Sequence, residues 1–221
     1  MEKIANFFKA LGNNIKEIGV TFVEGDWKTK VSFLIMGFGP LLRGFIARGL
    51  AFLAVEAAFI CYMVFVGAGY LAKFGTLGTE ETHMDPKTFL TVYGDNSFII
   101  LLYGVLTILL ILLFIAAWRL NISENRKEEK FLAAGHKVPS VKQDLYSLLD
   151  SNFHVTLLSL PTAGIAIFTI LPIIFMICVA FTNYDFNHQA PAKLFTWVGF
   201  DNFAQLVIFG GSGFGTTFFK L

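Results

Sequence analysis

Residues 98–118 read FIILLYGVLTILLILLFIAAW, and this stretch decides the class of the chain. Its 21 residues carry no charge. As a helix they extend about 32 Å, enough to cross a hydrocarbon core of about 30 Å. Two further apolar stretches are long enough, 49–72 and 155–181. The third is longer than a core demands, so it tilts, kinks or projects beyond the hydrocarbon. Pro161 falls near its start, where a missing N–H costs little, and Pro172 falls inside, where a kink is expected.

The composition agrees. Of 221 residues, 55% are hydrophobic and 26 are Phe, while only 15% are charged, against about 25% in soluble domains. A net charge of +1 offers a nucleic acid no electrostatic footing. Cys61 and Cys178 both lie in apolar runs and read as small buried apolar residues rather than disulfide halves or metal ligands.

Ahead of the spans, Ile4, Phe7, Phe8, Leu11, Ile15, Ile18 and Phe22 recur at helical spacing, with Lys3, Asn6, Lys9, Asn13 and Lys16 between them. Such a helix lies in the headgroup layer or packs on the protein, and the spacing fits both. Met1–Lys30 has no continuous apolar core, so no cleavable signal is expected and the first span drives insertion. Val31–Leu42 is apolar for 12 residues, about 18 Å of helix and too short to span. With Pro40 and Arg43 interrupting it, the stretch reads as re-entrant or interfacial.

Basic residues set the orientation. Seven precede the first span, two lie in the first loop, six in the second loop and two in the tail. This alternation places the basic segments in the cytosol. The expected organisation is a cytoplasmic amphipathic and interfacial segment (1–48), spans at 49–72, 98–118 and 155–181, an external loop (73–97), a cytoplasmic loop (119–154) and an external tail (182–221). A fourth span in Val31–Ala47 would put the six-charge loop outside. Within that loop, Ser123–Ala134 predicts a charged helix stopped by Gly135. Ser140–Leu149 predicts a short second helix with Val141, Leu145, Leu148 and Leu149 on one side. The loop reads as a solvated connector or as a surface for a cytoplasmic partner.

Chemistry-bearing residues are sparse. Glu56 is the only ionisable residue well inside a span. It lines a substrate path, or it snorkels and pairs with Arg48 or another cation on the cytoplasmic side. His83, His136, His154 and His188 lack metal-ligand spacing and read as surface residues. The Gly-rich run Gly210–Gly215 lacks a following Lys-Ser/Thr pair and reads as a loop. Asn121–Ile122–Ser123 fits the glycosylation sequon but falls on the predicted cytoplasmic side. No nucleophile–base–orienter set, metal site or cofactor site assembles, so an enzyme is not expected. An intramembrane enzyme would require a reactive Glu56. Ala54, Ala58, Gly67, Ala68 and Gly69 permit close helix approach, as in a larger membrane bundle.

Two stretches are more specific. Phe181–Thr182–Asn183–Tyr184–Asp185 closes the third span, and Trp197–Val198–Gly199–Phe200–Asp201–Asn202–Phe203 follows. Together with Leu171–Met176, residues 25–37 and residues 147–154, they resemble sugar permease subunits of binding-protein-dependent ABC importers, of the maltose/maltodextrin type and its Gram-positive members. In that family the second motif usually has Leu where Phe200 stands here. The resemblance implies an all-α integral membrane protein forming part of a larger helical permease bundle in the plasma membrane. It implies further helices and an ATPase-docking Glu-Ala-Ala loop beyond Leu221, so the chain is expected to be the N-terminal part of a permease, with its sugar-contacting residues elsewhere. The implied partners are a second permease subunit, cytoplasmic ATPase subunits that bind the ATP, an extracytoplasmic sugar-binding protein and membrane lipid. Tyr184, Asp185 and Trp197 are candidates for the external docking surface, or form an interfacial aromatic belt with a polar turn. The alternative function is a membrane anchor or assembly protein acting through its cytoplasmic loop.

Overall fold

The computed structural model describes residues 12, 16–146, 158, 161, 162 and 164–207. In chain order they form helix α1 (16–24), α2 (Trp27–Ser32), α3 (Phe38–Arg43), α4 (Ile46–Tyr62) and, after a π turn at Met63–Gly67, α5 (Ala68–Phe74). A small antiparallel hairpin follows, β1 (His83–Met84) with β2 (Thr91–Val92), pairing His83 with Val92 and Met84 with Thr91. Then come α6 (Ser97–Ala133), α7 (Val141–Tyr146), a π turn at Ala166–Ile170, α8 (Leu171–Val179) and α9 (Asp201–Val207). Among the described residues the fold is therefore mostly helical with one β-hairpin, which the all-α reading omits. Expectations for Ile4, Phe7, Phe8, Leu11, Ile15, Leu148, Leu149, His154 and Gly210–Gly215 fall outside the described residues.

Among the described residues, two helices are long and apolar enough to cross a membrane, Ile46–Phe74 and Ser97–Ala133, and a shorter apolar helix covers Ile167–Val179. Pro172 has no N–H to give the carbonyl of Phe168, four residues earlier. The π turn at Ala166–Ile170 sits where that bond is missing. Outward faces are oily: Phe65 and Phe168 are each 82% exposed, and Leu112 and Leu113 are exposed as well. Such surface suits hydrocarbon or neighbouring helices rather than water. Cys61 lies on this outward side of α4, exposed rather than buried as its apolar setting suggests, and both cysteines are free. Ala54 and Ala58 are exposed on the same helix.

The chain divides into two compact units. The first comprises Met1–Cys61 and Leu110–Leu160, and polar groups dominate its interior. The apolar stretch 31–42 is broken at residues 33–37, where Gly37 adopts φ +80°. A side chain on Gly37 would strike the carbonyl of Gly49. Pro40 does not end a helix, as its place in the sequence suggests. It lies in the first turn of α3, where no N–H is required. Arg43 follows three residues later, and its side chain is 2% exposed.

An arginine that far from water needs acceptors on every side. Its guanidinium donates to Asn125 Oδ1 (2.7 Å), Asp26 Oδ1 (2.6 Å) and Thr29 Oγ1 (2.6 Å). Glu129 stands 3.8 Å away. Burial pushes the Asp26 carboxyl upward, but the Thr29 N–H and the Arg43 charge outweigh it and hold it below the ordinary range. Asn121, Asn125 and Glu129 recur every four residues, so they form one stripe of α6. Asn125 Nδ2 donates to Ser32 Oγ at 2.9 Å, and Asn121 Nδ2 donates to the Ser32 carbonyl at 2.9 Å. Asn121 Oδ1 accepts from the Gly37 N–H at 3.0 Å. Trp118 closes the stripe, donating Nε1–H to the Phe33 carbonyl at 2.9 Å.

α6 runs unbroken from Ser97 to Ala133, so the charged helix expected at Ser123–Ala134 is present and continues directly from the apolar 98–118 stretch. No breaker intervenes, and the polar residues past Trp118 find partners that hold the helix straight. Gly135, at φ +81°, ends it as predicted, with the His136 N–H reaching back to the Phe131 carbonyl. In α7 Ser140 and Gln143 cap each other reciprocally. Asn121 is fully buried with its amide engaged, so its sequon is closed to an enzyme in the folded chain.

The second unit comprises Tyr62–Leu109 and Pro161–Leu221. Leu77, Ile100, Leu101, Val105 and Phe195 form its apolar core. Tyr62 and Thr107 share a hydrogen bond of 2.9 Å, and Tyr70 stacks on Tyr103. Gly104 lets the Phe74 ring lie flat on α6, since any Cβ there would collide with it.

Replacing Arg43 by Met strands Asn125 Oδ1 and removes the charge Asp26 faces. The expected cost is about 3 kcal/mol, read as a thermal midpoint in detergent that falls by several degrees. Arg43→Lys should recover only part, because an ammonium cannot address Asn125, Asp26 and Thr29 with one planar fork.

Candidate functional site

The two motifs singled out from the sequence meet in space. α8 ends at Val179, and the chain turns through Ala180–Thr182. Thr182 pairs with Trp197 in an antiparallel bridge. Asn183 N–H donates to the Thr196 carbonyl at 3.0 Å, and Thr196 N–H donates to Asn183 Oδ1 at 2.6 Å. The Val198 and Gly199 N–H groups share the Phe181 carbonyl, at 2.9 and 3.1 Å. From the first turn of α9, Asn202 Nδ2 donates to the carbonyls of Ala180 (2.9 Å) and Thr182 (2.7 Å). Phe181 packs edge-on against Phe200 and is tilted against Phe203. A helix end leaves carbonyls without partners. Here the second motif supplies donors for them.

The three candidate residues divide by role. Trp197 donates Nε1–H to the Phe74 carbonyl at 2.9 Å and sets its ring against Phe74. It ties the motif to the end of α5 and is half-buried. Tyr184 is 40% exposed, with its ring edge-on to Phe98 and Phe195. Asp185 is exposed and caps the N–H groups of Asn187 (2.8 Å) and His188 (2.9 Å). A hydrogen bond from the His188 ring, at 2.7 Å, is the main cause holding its carboxyl below the usual range. Thus Tyr184 and Asp185 present surface, while Trp197 acts as a strut. Asn183 and Asn202 stand in the motifs but carry no charge or aromatic ring to draw notice. Their repetition, one in each motif, is the signal that would have found them.

The loop before α6 joins this platform. Thr82 Oγ1 donates to the Pro191 carbonyl at 2.9 Å, and Lys193 pairs with Glu81 at 2.8 Å. Asp95 accepts from Lys73 (2.5 Å), the Thr79 N–H (3.0 Å) and the Glu80 N–H (3.4 Å). The Lys73 hydrogen bond is the largest influence holding the Asp95 carboxyl below its ordinary value. The hairpin displays apolar groups: Phe89 is 75% exposed and Tyr93 80%.

Glu56 belongs to the first unit. Its Oε2 accepts the Met36 N–H at 2.9 Å, in the break between α2 and α3. Arg48, the partner suggested by the sequence, pairs with Glu124 at 3.3 Å. The carboxylate thus serves a buried backbone donor of the broken stretch rather than Arg48.

No family model matches the chain, and no solved structure matches it. Curated proteins do. The maltodextrin transport system permease protein MdxF of Bacillus subtilis is 29% identical over 191 residues, 86% of this chain and 41% of that protein. The maltodextrin transport system permease protein MalC of Streptococcus pneumoniae is 28% identical over 180 residues, 81% of this chain and 39% of its own length. This chain is related to sugar transport permeases. The galactooligosaccharides transport system permease protein GanP of B. subtilis is 32% identical over 177 residues, 78% of this chain and 39% of that protein. This permease relative spans about two-fifths of the length of the proteins it matches.

Two outcomes follow for this platform. Trp197→Phe keeps the ring but orphans the Phe74 carbonyl, at a cost of about 1 kcal/mol, seen as a lowered unfolding midpoint. For Asp95 the folded carboxyl is more acidic than the unfolded one. Its contribution is complete above the ordinary carboxylate range and is lost as pH falls through the folded value, below about pH 4. Hydrogen-exchange protection at the Thr79 and Glu80 amides, corrected for intrinsic rate, should fall on acidification, and Asp95→Asn should lower it already at pH 7.

Proposed function

We propose that this chain belongs to the membrane-embedded subunit of an ABC importer for maltodextrin-like oligosaccharides. The observation that carries the reading is similarity to three sugar transport permeases along some four-fifths of the chain. The interlocking of the two motifs adds support, because both lie where the charge pattern puts the outer side. In this reading the chain sits in the plasma membrane with its N-terminus in the cytosol and three spans, the third at 155–181. α6 projects past the hydrocarbon as a rigid post, and the platform of Tyr184, Asp185 and the hairpin faces the sugar-binding protein. ATP is bound and hydrolysed by separate cytoplasmic subunits, and a second permease completes the path. The chain itself does no chemistry on the sugar.

The test is reconstitution of the full-length gene product with its ATPase, second permease and binding protein in proteoliposomes. Maltodextrin should stimulate ATP hydrolysis and be taken up. Stimulation by galacto-oligosaccharide alone would reassign the sugar, and indifference to both would remove the transport reading. In intact cells, a single cysteine placed at Lys137 should resist a membrane-impermeant maleimide that labels one placed at Lys87.

A further inference from the structure

Beside the polar lock, α1 and the 119–130 part of α6 enclose a groove of about 400 Å³. Five cations line it, Lys16, Arg119, Arg126, Lys127 and Lys130, against one carboxylate, Glu17. Two of the five are engaged. Arg126 donates to Thr21 Oγ1 (2.9 Å) and to Glu24 (3.3 Å), and Lys127 pairs with Glu124 at 2.6 Å. Among the described residues, the side chains of Lys16, Arg119 and Lys130 make no ion pair. The groove therefore holds uncompensated positive charge.

Its other walls are apolar, with Ile18, Val20 and Ile122 among them, and Val20 is 40% exposed. A site for a soluble anion gains nothing from such walls. Depth points the same way. Arg119 is the first charge after the apolar stretch 98–118, so it stands at the level where lipid headgroups lie, outside the hydrocarbon. Lys130 is further along the same helix, about 17 Å from Arg119, and adds to the potential rather than to direct contact. Positive charge at headgroup depth, bordered by oily side chains, matches an acyl chain below and a phosphate above.

We propose that this groove binds the phosphate headgroup of an anionic phospholipid, seating α1 and α6 on the inner leaflet. Arg119 and Lys16 contact the phosphate, while Arg126, Lys127 and Lys130 supply the field. The inference rests on the membrane reading above for the depth of Arg119 and for which leaflet the groove meets.

The full-length protein in detergent is titrated with phosphatidylglycerol, phosphatidylcholine, inorganic phosphate and polyglutamate, with binding read by native mass spectrometry. Phosphatidylglycerol adducts should persist where phosphatidylcholine adducts dissociate. Lys16→Gln with Arg119→Gln should weaken phosphatidylglycerol binding about 30-fold. Lys16→Arg with Arg119→Lys keeps the charges and should stay within about threefold of the native chain, separating loss of charge from loss of fold. Four results would each overturn the proposal: equal retention of both lipids; unchanged affinity in the Gln variant; equal loss in both variants; or displacement of phosphatidylglycerol by phosphate or polyglutamate at matching concentration. None of these readouts involves sugar uptake, so a failure here leaves the transport reading intact.

Discussion

The guanidinium of Arg43 is nearly sealed from water. Withdrawing such a charge costs several kcal/mol unless the surroundings rebuild its solvation. Much of the first unit's shape follows from meeting that demand. α6 must remain helical beyond Trp118, or Asn125 and Glu129 would not arrive beside the guanidinium. α2 must begin where Asp26 and Thr29 can turn toward it. The break at residues 33–37 then exposes the N–H groups of Met36 and Gly37, and Glu56 and Asn121 accept them. One cation thus sets the length of a helix, the site of a chain break and the partner of Glu56.

The second unit solves a related problem without a buried charge. A helix that ends near a bilayer cannot leave its last carbonyls to lipid. The turn after α8 meets them with donors from a motif some fifteen residues downstream, and the indole of Trp197 does the same for α5. Each motif accordingly combines an Asn with aromatic residues. The amides and hydroxyls satisfy backbone groups, and the rings shield those bonds from water. A platform built this way is held from several sides, which keeps Tyr184 and Asp185 in fixed positions.

The regular parts of the molecule were legible because their determinants are local. Twenty-one uncharged residues at 98–118 require a helix in hydrocarbon, whatever surrounds them. Gly135 announces a helix stop through its own freedom to adopt positive φ. The continuation of α6 to Ala133 was not legible in this way. Residues 123–134 read as a charged helix by themselves, but that this helix joins the apolar one without a break depends on partners from residues 32–43, which the local sequence does not show. Pro40 misled for a similar reason, since a proline interrupts a helix from within but fits its first turn, and only the break at Gly37 decides which applies. The same holds for Cys61, whose apolar neighbours could not reveal which side of α4 it occupies.

The sequence by itself determined the apolar helices, the asymmetry of basic residues around them and the two motifs that carry the kinship with sugar permeases. These depend on composition along the chain, which the hydrophobic effect and chain stereochemistry read residue by residue. Tertiary structure alone decided that Arg43 is a buried anchor rather than one more basic residue, that Asn121 and Asn125 answer it, that Trp197 is a strut, and that five cations face one groove. Those assignments join residues tens of positions apart. They exist only once the desolvation of each polar group has been settled by the partner that folding places beside it.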